Sequence, residues 1–330
     1  MTILGVLVGL AVIIASSDSG PKDSYAPESK AAIRVISNTY AVEFPRNIVF
    51  KLEAEAEDII TEVSLFYRLA RTEVQVFGYP HFTPSKQIST DYMVKTSGAN
   101  YIPSGVDIEY YYRIVDRKGY TLETERRTLG YRDPSFTWHE LRDGPIIVLW
   151  HDRSYDRVSK AVGELTQRIA PVKKVLGLES LPAMKAVILN SRREAQRSFP
   201  QISGAARRGH LYGGFAYNDY DLFVLSGLNV DGMLHEAVHL MLHEVVSSPR
   251  ARVPAWLHEG LAQWFESRSE HRKRTVERAA RNGQLIRLKY MNSQPGKPSG
   301  VRIFYAQAWS VVDYLIGTYG EDRVAILLDA

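Results

Sequence analysis

The segment Leu234–Glu266, LHEAVHLMLHEVVSSPRARVPAWLHEGLAQWFE, constrains this chain more than any other. Its first part, Gly232–Val246, reads as a helix in which Met233, Leu234, Ala237, Val238, Leu240, Met241, Leu242 and Val245 are apolar. A helix that is hydrophobic on nearly every side is a buried helix. Yet this one carries His235, Glu236 and His239. Buried imidazoles and carboxylates require partners, and a metal ion supplies one for all of them. An ordinary amphipathic helix with surface histidines is the competing reading, and the surrounding apolar residues speak against it.

The spacing in HEAVH supports the metal reading. His235 and His239 stand at i and i+4, about 40° apart around a helix axis and about 6 Å along it. Two imidazoles so placed can converge on one Zn²⁺. Glu236 lies beside the first histidine, where it can act as general base: it takes a proton from the attacking water and passes it to the leaving amine. His243 lies about 12 Å along the helix from His235, too far to share its metal. The alternative pair His239 and His243 has Leu240 where the catalytic Glu belongs. A metzincin would need Gly at 242 and His at 245, where this chain has Leu242 and Val245.

A third ligand is expected from the helix that follows, Pro254–Ser267. Pro254 suits a first helical position after the reversing linker SSPRAR. Glu259, twenty residues beyond His239, can return in a helical hairpin to complete a His₂Glu set with an open position. Gly260 permits close approach of another helix, and Gln263, one turn on, is a candidate supporting partner. His258 is the rival ligand, pointing about 100° away from Glu259. His243, Glu244, His258 and Glu266 are read as bystanders. With no cysteine in the chain, any metal must be held by His, Asp and Glu.

Upstream the pattern differs. From about Ala32 to Gly130 it has period two and is rich in β-branched and aromatic residues. IVFKLEAEA, ITEVSLFYRLA, EVQVFGY, QISTDYMVKT and DIEYYYRIVDRKGYTLETE read as successive strands separated by turns. The expectation is an immunoglobulin/fibronectin-like β-sandwich over residues 31–131, and IEYYYRIVDRKGYTLET resembles the penultimate hairpin of such modules in bacterial surface proteins. GYRDPSFTWHELRDG reads as a linker. From residue 145 to 330 an α+β pattern follows: strands PIIVLWH and MKAVILN around a helix Tyr155–Leu176, a hairpin in GHLYGGFAYNDYDLFVL, then helices, including Tyr305–Tyr319.

HEAVH together with WLHEGLAQWFE resembles the gluzincin metallopeptidases, specifically the bacterial peptidase MA-like family. That family follows HExxH with P-x-W-L-x-E-G-L-A, matched by Pro254, Trp256, Leu257, Glu259, Gly260, Leu261 and Ala262. FYAQAWSVVDYLIGTYGEDRVAILL is similar to its C-terminal helical pair. The resemblance covers roughly Pro145 onward and implies a zincin-like domain, one Zn²⁺ per chain and a peptide or protein substrate. It also implies a substrate-binding edge strand before the active-site helix, a place occupied by Tyr212–Tyr217 with Gly213, Gly214 and Phe215; a simple bulge is the alternative there. Tyr305 is the candidate for stabilising the oxyanion, against a core tyrosine anchoring the last helices. The aminopeptidase motif G-x-M-E-N has no counterpart.

At the N-terminus, ILGVLVGLAVIIA (residues 3–15) precedes a polar Ser- and Pro-rich stretch. It fits the apolar part of an export signal, or a membrane anchor, within a leader of residues 1–30, with a buried core segment as the remaining alternative. The n-region departs from that pattern in having no Lys or Arg. An extracytoplasmic location, secreted or at the cell surface, is expected. The chain stops at LLDA within a helical pattern, so truncation at the C-terminus is expected. Net charge is +4, and the basic residues cluster locally, as in EHRKRTVERAARNGQLIRLK. These read as solvated faces, with an anionic membrane or wall polymer as a lesser alternative. No nucleic-acid motif accompanies them, so nucleic acid is not expected as a partner. The alternative function is a cell-surface binding protein whose zinc site is inactive or structural.

Overall fold

Alternating apolar residues between Ile33 and Gly130 form seven strands: β1 (Ile33–Glu43), β2 (Asn47–Leu69), β3 (Gln75–Gly78), β4 (Ser85–Lys95), β5 (Asp107–Asp116), β6 (Thr121–Glu123) and β7 (Arg127–Gly130). The computed structural model describes residues 32–200, 213–246 and 253–329. IVFKLEAEA and ITEVSLFYRLA, expected as two strands, are one 23-residue strand, β2, because no Gly or Pro interrupts them. Its first part pairs with β1 and β4, and its last part with β3 and β5, with register breaks between Glu55 and Glu62. The rings of Phe50 and Tyr67, both on β2, lie 6.2 Å apart, whereas seventeen residues of straight strand span about 55 Å. The strand therefore folds over on itself. All seven strands join through β2 in one antiparallel sheet wrapped around Phe50, Leu52, Tyr110 and Tyr112.

A second, five-stranded sheet has the order β11-β12-β10-β9-β8. Its strands are β8 (His139–Asp143), β9 (Ile146–Trp150), β10 (Met184–Ile188), β11 (Gly214–Tyr217) and β12 (Leu222–Leu225). β8 comes from the stretch read as linker and pairs antiparallel with β9, so this sheet begins at His139. β9, β10 and β12 run parallel, and β11 returns antiparallel on β12. Parallel neighbours require a crossover, which α1 (Tyr155–Val175) supplies between β9 and β10; the short α2 (Arg192–Ser198) follows β10.

Both faces of this sheet are covered, which is why IIVLW, MKAVI and LFVL are nearly uninterrupted apolar runs. Val148, Ala186, Ile188 and Phe223 pack with the helices. Leu149, Val187, Leu222 and Val224 pack in the same core as Phe50 and Tyr110 of the first sheet. Lys185 crosses this junction to Asp107 at 2.6 Å.

The remaining helices are α3 (Val230–Val245), α4 (Ala255–Trp264), α5 (Ser269–Arg281), α6 (Pro298–Tyr319) and α7 (Asp322–Asp329). α6 starts seven residues earlier than Tyr305, with proline in its first turn. A Cβ on Gly260 would stand 2.5 Å from the Ala308 carbonyl oxygen, so this glycine sets how closely α4 lies on α6. The apolar run 3–15 and Tyr212 fall outside the described residues. Among the described residues no helix is long and apolar enough to cross a membrane.

Candidate metal centre and cleft

α3 begins where the Asn229 side chain accepts a hydrogen bond from the Asp231 amide. It is anchored at that end: Asp231 pairs with Arg168 of α1 at 2.7 Å and accepts from the Ser267 hydroxyl at 2.6 Å. With α3 buried through its middle, from Met233 to Leu242, His239 and Glu236 are enclosed, and His235 is mostly so. α4 packs against α3 and brings in Glu259.

His235, His239 and Glu259 converge. His235 Nε2 and His239 Nε2 are 3.1 Å apart. Glu259 Oε2 lies 3.5 Å from the first and 3.6 Å from the second. Three atoms each bound at about 2.0–2.1 Å to one tetrahedral ion would stand about 3.3 Å apart. Glu259 Oε2 is buried and accepts no hydrogen bond of normal geometry. Two imidazole nitrogens facing each other beside an unsatisfied carboxylate oxygen make a donor set that a divalent cation fits. Among the described residues these three form the group able to hold a metal.

The titration of these groups follows from burial and proximity. Burial disfavours a charge on His235, but Glu259 and Glu266 beside it hold its pKa well above the ordinary imidazole value. Glu259 is pushed up by burial and held far below the usual carboxylate range by His239 and His235. Glu236 is raised by burial, which His235 and His239 only partly offset. A raised carboxylate is suited to accepting and releasing a proton near neutrality. His258, the rival ligand, stacks on the His239 ring at 4.4 Å instead of joining the cluster. Burial and then His239 push its pKa down to about 4.

The surroundings correct one expectation. Glu266, read as a bystander, places Oε1 2.7 Å from His235 Nδ1 and pairs with the buried Arg272 through its other oxygen. It orients the His235 ring. Gln263, expected as a supporting partner, accepts at its carboxamide oxygen from Arg272 Nε, and Arg272 in turn pairs with Glu266. The residue beside Glu259 is Gln294, which donates from Nε2 to Glu259 Oε1 and to the Tyr305 hydroxyl, both at 2.9 Å. Glu266 lies two turns beyond Glu259, a spacing that could have revealed it. Gln294 comes from an irregular segment with no pattern to mark it.

Gly214 opens β11, which is an outer strand of its sheet among the described residues. A Cβ there would meet Leu225 Cδ2 at 2.5 Å and Glu236 Oε1 at 2.7 Å. The missing side chain is the space in which the Glu236 carboxylate sits. Gly213 lies at the strand's entry and accepts from the Ser226 amide, while Phe215 packs edge-on against Phe199. Tyr217 at the other end meets Tyr101 of the first sheet, hydroxyl to hydroxyl, at 2.7 Å. Gly213, Gly214, His235, Glu236 and Tyr305 line one cleft of about 830 Å³.

Residues 208–330 match the Peptidase MA superfamily. No curated protein matches the chain. Among solved structures it is similar to an aminopeptidase N family protein from Idiomarina loihiensis at 9% identity, covering 86% of this chain and 67% of that one with a TM-score of 0.35. It is also similar to OgpA from Akkermansia muciniphila, at 7% identity over 32% of this chain and 30% of that one, TM-score 0.25. A family 56 carbohydrate-binding module that binds β-1,3-glucan is 16% identical over 28% of this chain and 95% of its own, TM-score 0.19.

Proposed function

From the premise that residues 208–330 match the Peptidase MA superfamily, we propose that this protein is a zinc-dependent metallopeptidase. The observation that carries the reading is the triangle of His235, His239 and Glu259 ligand atoms with the Glu236 carboxylate beside it. A Zn²⁺ held by those three residues would lower the pKa of a water and polarise the substrate carbonyl. Glu236 takes one proton from the attacking water as its oxygen bonds to the peptide carbon. It delivers that proton to the amide nitrogen as the carbon–nitrogen bond breaks. Tyr305, at the cleft wall, donates its phenol proton in a hydrogen bond to the developing oxyanion. The β11 backbone at Gly213, Gly214 and Phe215 receives the substrate as an added strand.

A purely structural zinc site would use a fourth protein ligand. The three-residue cluster and the open cleft beside it favour catalysis over a binding protein with an inert metal. Export, with secretion or anchoring at the cell surface through residues 3–15, belongs to the same proposal and rests on that apolar run. Hydrolysis of an unfolded protein tests the reading. It should stop on chelation and return on adding Zn²⁺; turnover indifferent to the chelator would refute it.

A further inference from the structure

Part of the cleft wall is basic. Arg268, His271, Arg272, Thr275 and Arg278 recur at helical spacing along α5 and its cap, and all line the cleft. Arg302 of α6 and Arg192 of α2 add to the same lining. One side of the basic run, solvated as expected, borders the cleft.

The carboxylates that share this lining do not neutralise it. Asp231 is engaged by Arg168 and Ser267. Glu266 is engaged by His235 and Arg272, and Glu236 is buried against Gly214. Arg192, Arg268, Arg278 and Arg302 have no ion pair or side-chain hydrogen bond among the described residues. Arg272 is 6% exposed, and its Nη1 has no hydrogen-bond partner. Like-charged guanidinium groups sharing one cleft focus the field and raise the local concentration of anions there.

We infer that the peptide taken by this cleft is acidic. This rests on the peptidase reading and names its substrate class. Aspartate or glutamate side chains of the peptide meet Arg192, Arg268, Arg278 and Arg302, which share the cleft lining with Glu236 and Tyr305. Guanidinium suits the task because its planar fork can bind a carboxylate through two parallel hydrogen bonds. These arginines are exposed, so each contact is weak and salt-sensitive, and the preference comes from several together.

The test uses two fluorescent peptides of one length, identical except for three Glu in one and three Lys in the other. Binding to the full-length Glu236→Gln protein is followed by anisotropy at low and high salt. The acidic peptide should bind about tenfold tighter at low salt, with the difference shrinking at high salt. Arg278→Glu/Arg302→Glu should abolish or invert the preference, Arg278→Gln/Arg302→Gln should reduce it, and Arg278→Lys/Arg302→Lys should keep most of it. Equal affinity for the two peptides, no binding of either, or a preference unmoved by the charge reversal would overturn the inference. Hydrolysis of an uncharged peptide by the wild type separates the two claims. Turnover without charge preference removes the inference alone, whereas acidic binding without turnover removes the peptidase reading alone.

Discussion

Glu266 holds His235 in place: its Oε1 stands 2.7 Å from His235 Nδ1, on the far side of the ring from the Nε2 that faces His239 and Glu259. A carboxylate there fixes the tautomer and orientation of the ring and raises its basicity as a ligand. Glu266→Gln is expected to lower Zn²⁺ affinity by about 10–100-fold, read by competition against a chromogenic chelator. It should leave the fold intact, since the amide still reaches Arg272. Unchanged affinity would show that His235 is oriented by something else.

Gly214→Ala is expected to damage chemistry without removing metal. The added Cβ would stand 2.7 Å from Glu236 Oε1 and 2.5 Å from Leu225 Cδ2. Displacing a catalytic group by about 1 Å costs about 100-fold in rate, so kcat should fall by about that factor while bound zinc stays at the wild-type level. Gly163→Ala, on α1 with nothing within 4 Å of its Cβ, is the control. It should leave turnover alone and stabilise the fold by about 0.5–1 kcal/mol.

Gly260→Ala tests the packing that brings Glu259 to the histidines. Its Cβ would stand 2.5 Å from the Ala308 carbonyl and 2.7 Å from Val312 Cγ2, so α4 must move off α6. Overpacking of this kind costs about 1–3 kcal/mol. Thermal denaturation should show a lower Tm, with weaker zinc binding because Glu259 shifts along with its helix. A Tm equal to that of the wild type would mean that the helices separate freely.

The metal-free protein should lose stability in mild acid through His258. Its folded-state pKa, pushed down to about 4, lies below the unfolded value of about 6.5. Between those values the unfolded chain binds the proton and the folded one does not. The contribution is therefore present above pH 6.5 and is lost as pH falls towards 4. The full shift corresponds to about 3 kcal/mol, reduced by partial solvent access. Urea denaturation of chelated protein at pH 7 and pH 5 should show a drop that is smaller in His258→Phe. Equal drops in both proteins would exclude His258 as the source.

Patterns with local periodicity were the legible part of the sequence. HEAVH and the Glu259 spacing pointed to three side chains that α3 and α4 bring together, because helical geometry fixes what i and i+4 can share. β9, β10 and the β11–β12 hairpin were readable for the same reason. What escaped depends on contacts remote in sequence. The 23-residue β2 reads as two strands because its fold-over and register breaks are set by pairing with remote strands and not by its own residues. β8 looked like linker because its pairing with β9 gives it order that its own residues do not. Gln294 meets Glu259 from thirty-five residues away, and no spacing rule joins them. The basic face of α5 was visible as charge, but only its packing shows that it borders the cleft.

Zinc content and turnover, measured together on purified wild type and Glu236→Gln, bear most directly on the central claim. Expected is one zinc per chain in both proteins, with hydrolysis of an unfolded protein substrate in the wild type and at least about 1,000-fold less in the variant. A wild type with no stoichiometric metal, or a variant as active as the wild type, would contradict the assignment of His235, His239 and Glu259 as ligands and Glu236 as base.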